Sequence, residues 1–393
     1  MARAERIAVI SPRFSETGTV GGAETLLKRL AELAAADGRR VSILTTCATN
    51  HFTWENAVPP GARTVGGLEV RFFPVDADRD VAAFLRVQKT IGQRGPLEIE
   101  DERLWIRNSV NSRALIEHLH ERGGEYDRIL AGPYLFGLSF VAAQVYPRKT
   151  LLVPCLHDEP FAYLEIMKEL FGAVSGFAFN TEPERALARS LFELPPEKCA
   201  VVGMDIEPFE ADPSAFARAR GLDRPYVLYC GRREGGKGTP LLCEYMQAFR
   251  ERTGEDVRLV FTGSGPIEAP AELQPFILDA GFVSEREKHE AMAGALAFIH
   301  PSVNESLGIV LLESWLARVP ALVHAGGEVL RWQCRRCNGG LWFRHYPDFE
   351  QELLLLLRRP ELRRKMGAAG REYVLREYSR AAIQERLFAA LDR

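Results

Sequence analysis

Short apolar runs alternate with longer segments of helical period along this chain, and the alternation occurs twice. In the first half, residues 7–10 (IAVI) read as a buried strand. A glycine-rich loop and a helix over about residues 22–37 follow, closed by Gly38 in the way a C-terminal glycine often closes a helix. Residues 41–46, 68–73, 128–131, 151–153 and 177–179 read as further strands, most of them separated by helices. Residues 47–67 and 75–102 are polar and spotted with Pro and Gly, so they read as irregular insertions. An acidic, proline-bearing stretch over residues 201–213 reads as a linker.

The pattern then restarts. Strands are expected at residues 226–230, 257–263 and 295–302, with another ending near Phe282 and one more within 320–327. Helices are expected over about 239–252 and 308–317, and residues 346–393 read as helical. Short strands alternating with helices predict parallel sheets. The fold class is therefore α/β, as two doubly wound domains. Ligands of such sheets bind beyond the carboxyl ends of the strands, so two of them facing each other predict one central cleft.

Composition excludes several classes. A chain of 393 residues with 46% hydrophobic and 26% charged residues is long enough for two globular cores. A net charge of -3 gives no basic field for nucleic acid. Seven scattered cysteines make no disulfide framework, and no apolar run is long enough to span a bilayer. A cytoplasmic location is expected, with peripheral contact at the inner face of a membrane compatible with it.

Candidate chemistry lies in the loops after strands. In ESLGIVLLE, Glu305 precedes a helix and Glu313 lies in its second turn. The amides of Ser306, Leu307, Gly308 and Ile309 open that helix, and a helix N-terminus offers donors and partial positive charge to a phosphate. The alternative is a plain capped amphipathic helix. In GRREGGKG, Arg232 and Lys237 flank a glycine-rich turn. Two fixed cations there suit a diphosphate leaving group handled without a metal; the alternative is a solvated basic turn.

The same turn nearly matches a phosphate-binding Walker A loop. Gly238 stands where that motif needs Ser or Thr for Mg²⁺, which disfavours an NTPase or kinase. Gly263 opens a GSGP turn at a strand end, and Gly21 and Gly22 lie between the first strand and helix. His157 follows a buried strand, where a functional His and a structural one are both open readings. Asp76 and Asp78 read as a solvated acidic loop, and Cys334 with Cys337 lacks the second pair a zinc site needs. Phe161, Tyr163, Phe171 and Phe177 suggest burial more than membrane contact.

Taken in order, GGAE, HDEP, GR…KG, GSGP, Phe282-Val283-Ser284 and PSVNESLGIVLLE resemble the family-4 retaining glycosyltransferases of GT-B fold (glycosyl transferases group 1). The resemblance implies two Rossmann-like domains, residues 1–205 on the acceptor side and 206–371 binding a nucleotide sugar, with a helix over 372–393 crossing back. It implies transfer of a hexose-type sugar from a nucleoside-diphosphate sugar to a glycan, lipid-linked or other sugar acceptor, with retention and with no metal or other cofactor. Polysaccharide biosynthesis is the usual setting.

By the same resemblance, Glu305 contacts the donor sugar and Glu313 the ribose hydroxyls. Arg232 and Lys237 hold the diphosphate, with the backbone of Leu307 to Ile309 on the distal phosphate. Residues near Val283 flank the base, Gly22 faces the phosphates and His157 lies beside sugar and acceptor. The segment VVGMDI departs from the family's usual Asn-Gly-Val-Asp, and AGGEVLRWQCRRCNGG is unusual. A catalytically inactive sugar-nucleotide-binding protein of the same fold is the remaining alternative.

Overall fold

Runs such as Ile7 to Ile10 and Tyr226 to Cys230 are buried on both faces, so they can form only interior strands covered by helices. The computed structural model describes residues 5–16 and 21–393. Gly18, the expected start of the first glycine-rich loop, lies outside them. Contacts divide the chain into one unit that ends at Asp205 and takes in Arg380–Arg393, and a second unit, Ile206–Ser379.

The first unit runs β1 (Arg6–Ser11), α1 (Gly22–Ala36), β2 (Arg40–Thr46), β3 (Gly61–Val65), β4 (Leu68–Phe73), α2 (Val81–Gly92), α3 (Ile99–Asn108), α4 (Arg113–Arg122) and β5 (Arg128–Ala131). It continues through α5 (Gly137–Val145), β6 (Thr150–Leu152), α6 (Glu165–Ala173), β7 (Gly176–Phe179), α7 (Glu182–Phe192) and β8 (Cys199–Val201). Its sheet has the order β3-β4-β2-β1-β5-β6-β7-β8. Pairing is parallel throughout except at the β3–β4 edge.

The second unit runs α8 (Ala215–Arg220), β9 (Tyr226–Cys230), α9 (Thr239–Thr253), β10 (Arg258–Thr262), β11 (Ile277–Asp279), α10 (Glu285–Gly294) and β12 (Ala297–His300). There follow α11 (Ile309–Leu316), β13 (Ala321–His324), α12 (Glu328–Cys337), β14 (Gly340–Phe343), α13 (Tyr346–Arg358) and α14 (Pro360–Glu377). Its sheet is all parallel, in the order β11-β10-β9-β12-β13-β14. A last helix, α15 (Arg380–Leu391), belongs to the first unit.

Three expectations are corrected. Residues 61–65 are not irregular: they form an edge strand antiparallel to β4, joined to it by the turn at Gly66 and Gly67. Residues 75–102 contain α2 and the start of α3, because Ala83, Val87 and Ile91 recur one turn apart and are buried, Val87 and Ile91 in the same core as Trp105 and Ile106 of α3. The expected helix over 372–393 is two helices. Tyr373 and Val374 are buried in α14, with Tyr373 packed edge-on to Trp315 of α11, so the chain stays in the second unit through Ser379.

The seven cysteines are buried free thiols. No described helix is long and apolar enough to cross a membrane. Phe171 and Phe177 are core residues and Tyr163 is exposed.

Helix α15 presents Ile383, Leu387, Ala390 and Leu391 to the interior of the first unit. Arg128 Nε donates to the Leu391 carbonyl at 2.8 Å and fixes the helix's end. Leu387→Ala should therefore cost about 2–5 kcal/mol, as a truncated buried leucine does. A urea titration should show the corresponding fall in the unfolding midpoint; a change below ~1 kcal/mol would mean that this face is not packed.

Candidate active site

In the second unit the chain proceeds from β9 through β10 to β11, then resumes at β12 on the other side of β9. Loops leaving neighbouring strands β9 and β12 therefore diverge, and divergence opens a crevice at their carboxyl ends. Residues 231–238 and 301–308 are those two loops. Their candidate charges meet: Lys237 Nζ lies 2.7 Å from Glu305 Oε1. Both side chains keep partial solvent access, 25% and 16%.

Beneath them, His300 at the end of β12 is buried, its Nε2 3.6 Å from Glu305 Oε1. Burial pushes its pKa down to about 4, so the imidazole is neutral at neutral pH. Its Nδ1 has no hydrogen-bond partner among the described residues.

The glycine-rich turn is held by Arg233, not by the residue before it. Arg233 is buried, donates to the Gly265 carbonyl at 2.7 Å and the Gly263 carbonyl at 3.2 Å, and pairs with Asp279 at 3.0 Å. Sequence reasoning missed it. Two adjacent arginines look alike in a pattern, and only the fold shows which one points inward. Arg232 is the exposed one, with Nη2 3.8 Å from Glu234 Oε1. Gly263 brings the GSGP turn against this loop. Its φ is +114° and an added Cβ would lie 2.2 Å from the Gly231 carbonyl oxygen, so only glycine fits.

Gly308 starts α11 with φ +78°, and an added Cβ would lie 2.4 Å from Leu330. Ser306 and Leu307 precede it and Ile309 is the first helical residue. The amides of this first turn have no acceptor within the helix and point along the dipole. Gln333 of α12 donates to the Leu307 carbonyl and braces the loop from behind. The Walker-like reading loses its last ligand here. Thr239, which follows Gly238, is buried and its hydroxyl donates to the Glu234 carbonyl at 3.3 Å.

Glu313 lies on α11 but is not open on all sides. Lys288 of α10, a residue sequence reasoning did not select, pairs with its Oε1 at 2.9 Å. Burial raises the Glu313 pKa against the pull of Lys288. Val283 lies between β11 and α10 and is half-buried; Phe282 beside it is 83% exposed. Ser284 caps α10, accepting from the Glu287 amide at 3.2 Å.

The remaining candidates belong to the first unit. Gly21 and Gly22 begin α1 above a buried ion pair, Arg13 Nη2 to Glu24 Oε1 at 2.5 Å. His157 follows β6, half-buried, with Nδ1 3.4 Å from Glu159 Oε1, an oxygen that also accepts from the Tyr134 hydroxyl at 3.1 Å. The loop is anchored by buried Glu184, which accepts from the Leu156 amide at 2.7 Å and the Asn180 amide at 2.5 Å. Desolvation pushes the Glu184 pKa up to about 7.

Asp76 and Asp78 are tied to Arg113, at 3.5 and 2.6 Å. Cys334 and Cys337 lie buried on α12. Asp205, in the segment that replaces the family's usual pattern, is buried and bonded to Arg29 at 2.7 Å.

Comparison with known proteins fits this geometry. Residues 212–373 match the family described as glycosyl transferases group 1. The chain is 26% identical over 392 residues to D-inositol 3-phosphate glycosyltransferase of Frankia alni, covering 90% of this chain and 91% of that one. It is 28% identical to an uncharacterized glycosyltransferase of Methanocaldococcus jannaschii, over 40% of this chain and 44% of that protein's length.

Among solved structures, sucrose-phosphate synthase from Thermosynechococcus elongatus superposes with a TM-score of 0.72 at 18% identity, covering 98% of this chain and 97% of that one. Anabaena Alr3699/HepE in complex with UDP and glucose superposes with a TM-score of 0.69 at 15% identity, covering 99% of each chain. Together with the two parallel-sheet units, these matches give the chain the GT-B fold, with residues 212–373 similar to the glycosyl transferases group 1 family.

Proposed function

We propose that this glycosyltransferase moves a hexose-type sugar from a nucleoside-diphosphate sugar to a glycan, lipid-linked or other sugar acceptor, with retention and without a metal ion. The observation that carries the reading is the meeting of Lys237 and Glu305, 2.7 Å apart, at the amide end of α11. A cation, a carboxylate and a helix N-terminus in one crevice match the three chemical parts of such a donor. Phosphates take the ammonium and the amides; sugar hydroxyls donate to the carboxylate. The HepE structure, which holds UDP and glucose, supports the same class of ligand here.

In the proposed course, Lys237 and Arg232 stabilise charge that grows on the diphosphate as the bond from the anomeric carbon to phosphate oxygen breaks. The acceptor oxygen bonds to that carbon from the same face. Its proton passes to the departing phosphate oxygen, so no carboxylate nucleophile is needed. Leu307, Gly308 and Ile309 are assigned to the distal phosphate, Glu313 to the ribose, and Gly263 and Val283 to the walls around the nucleoside. Gly21, Gly22 and His157 of the first unit are assigned by the resemblance alone, His157 to transfer more than to donor affinity.

Lys237→Ala should lower kcat by about 10²-fold or more, since a fixed charge at a leaving group is worth several kcal/mol. A single-turnover assay with donor saturating checks this, and a rate within about threefold of wild type would remove Lys237 from that role. Thermal shift against UDP-, GDP-, ADP- and dTDP-sugars should raise Tm for at least one donor, with the same shift in excess EDTA. A shift abolished by EDTA would overturn the metal-independent course. His157→Ala should reduce turnover while donor Kd stays within about threefold, and unaltered turnover would assign the residue to structure.

A further inference from the structure

Glu313 is the least secure of the site's carboxylates. Its side chain is only 13% exposed, and its Oε2 is buried with no hydrogen-bond partner among the described residues. A carboxylate with one orphaned oxygen depends on whatever holds the other. Here that is Lys288, whose Nζ lies 2.9 Å from Glu313 Oε1 and 2.7 Å from Glu285 Oε2. Glu285, His289 and Glu313 present their ligand atoms within 4.8 Å of one another, a grouping that would suit a cation. The lysine's own ammonium already fills that need.

Lys288 is itself fixed. It is 17% exposed, held by two carboxylates, and carried on a helix whose next residue, His289, stacks face to face on Phe209 at 3.5 Å. The other titratable groups near Glu313 are Glu285, His289, whose pKa burial lowers, and the buried Cys230 thiol of β9, whose pKa burial pushes up to about 12, so it stays neutral.

We propose that Lys288 is a positioning residue for the donor's nucleoside, holding the Glu313 carboxylate in place to accept hydrogen bonds from the ribose hydroxyls. The inference rests on the reading of Glu313 given under Proposed function. Lys288 lies on a different helix from Glu313 and does not itself meet the ribose. One lysine and two carboxylates leave a net negative charge, which favours hydroxyl donors over a second cation or a phosphate. The remaining lone pairs of the carboxylate supply the acceptors.

The test compares binding of UDP and 2′-deoxy-UDP by calorimetry, with GDP and ADP and their 2′-deoxy forms in parallel. Wild type should bind the ribonucleotide about tenfold tighter or more, the effect of a charge-assisted hydrogen bond. Lys288→Met should weaken the ribonucleotide by about tenfold and bring the two forms within about threefold, and Lys288→Arg should restore the difference. In a Glu313→Gln background, Lys288→Met should add less than about twofold, since it acts through the group already removed.

A pH series supplies a readout that a structural defect would not mimic. Burial raises the Glu313 pKa and loss of Lys288 raises it further, so the carboxyl protonates at a higher pH. Affinity of Lys288→Met for the ribonucleotide should therefore recover as pH rises, along a profile displaced upward from wild type. Equal binding of the two forms by wild type, an unchanged ratio in Lys288→Met, or additive losses in the double variant would each overturn the proposal. Binding of none of the nucleoside diphosphates by wild type would instead overturn the parent reading, and this inference with it.

Discussion

A carboxylate withdrawn from water must take a partner with it, either a cation or, as for Glu184, backbone amides, and that constraint organises both units. Glu24 has Arg13, Asp205 has Arg29, Glu305 has Lys237 and Glu313 has Lys288, while the buried cation Arg233 has the exposed Asp279. Breaking one such pair by removing a partner costs about 3–5 kcal/mol where burial is complete. The pairs are therefore not interchangeable decorations. Each ties two segments together, and in every pair the cation comes from a different loop or element than the acid. Arg233 is the plainest case: one buried guanidinium joins the turn after β9 to the turn after β10 and to the end of β11.

Parallel strands buried on both faces announce themselves in the sequence, which is why β1, β2, β9, β10, β12 and β13 are legible as apolar runs. The loops at their ends carry Lys237, Glu305 and the glycines, so those candidates are legible too. What the pattern cannot show is pairing across long separations. Lys288 reads as one charge among many in EREKHE, and only the approach of α10 to α11 makes it the partner of Glu313. Glu184 is equally silent: a carboxyl in the first turn of a helix looks like an ordinary dipole contact, whereas here it fastens the His157 loop by accepting from the Leu156 amide. Helix α2 was obscured by its surroundings, because Pro, Asp and Gly on either side outweighed a stripe of only Ala83, Val87 and Ile91.

The glycines show the same division between local and distant causes. Gly38 could be read as a helix end from its own neighbourhood. Gly263 could not, since what forbids a side chain there is the carbonyl of Gly231, a residue on another strand's loop. Close approach of two loops at the carboxyl ends of adjacent strands is a property of strand order, and strand order is written in no single segment.

The two acid–lysine pairs of the second unit differ in a way that sorts their roles. Lys237 and Glu305 are 25% and 16% exposed; Lys288 and Glu313 are 17% and 13% exposed, with one Glu313 oxygen already orphaned. A partly solvated pair loses little when a ligand takes over one partner, because water and the ligand both compensate. The Lys288–Glu313 pair, with the Glu313 Oε2 already lacking a partner among the described residues, has less such reserve. Under the proposed function, Lys237 would exchange a carboxylate for a phosphate as a donor arrives, with Glu305 turning to sugar hydroxyls. Lys288 is suited to the opposite task, remaining in place while Glu313 adds new donors.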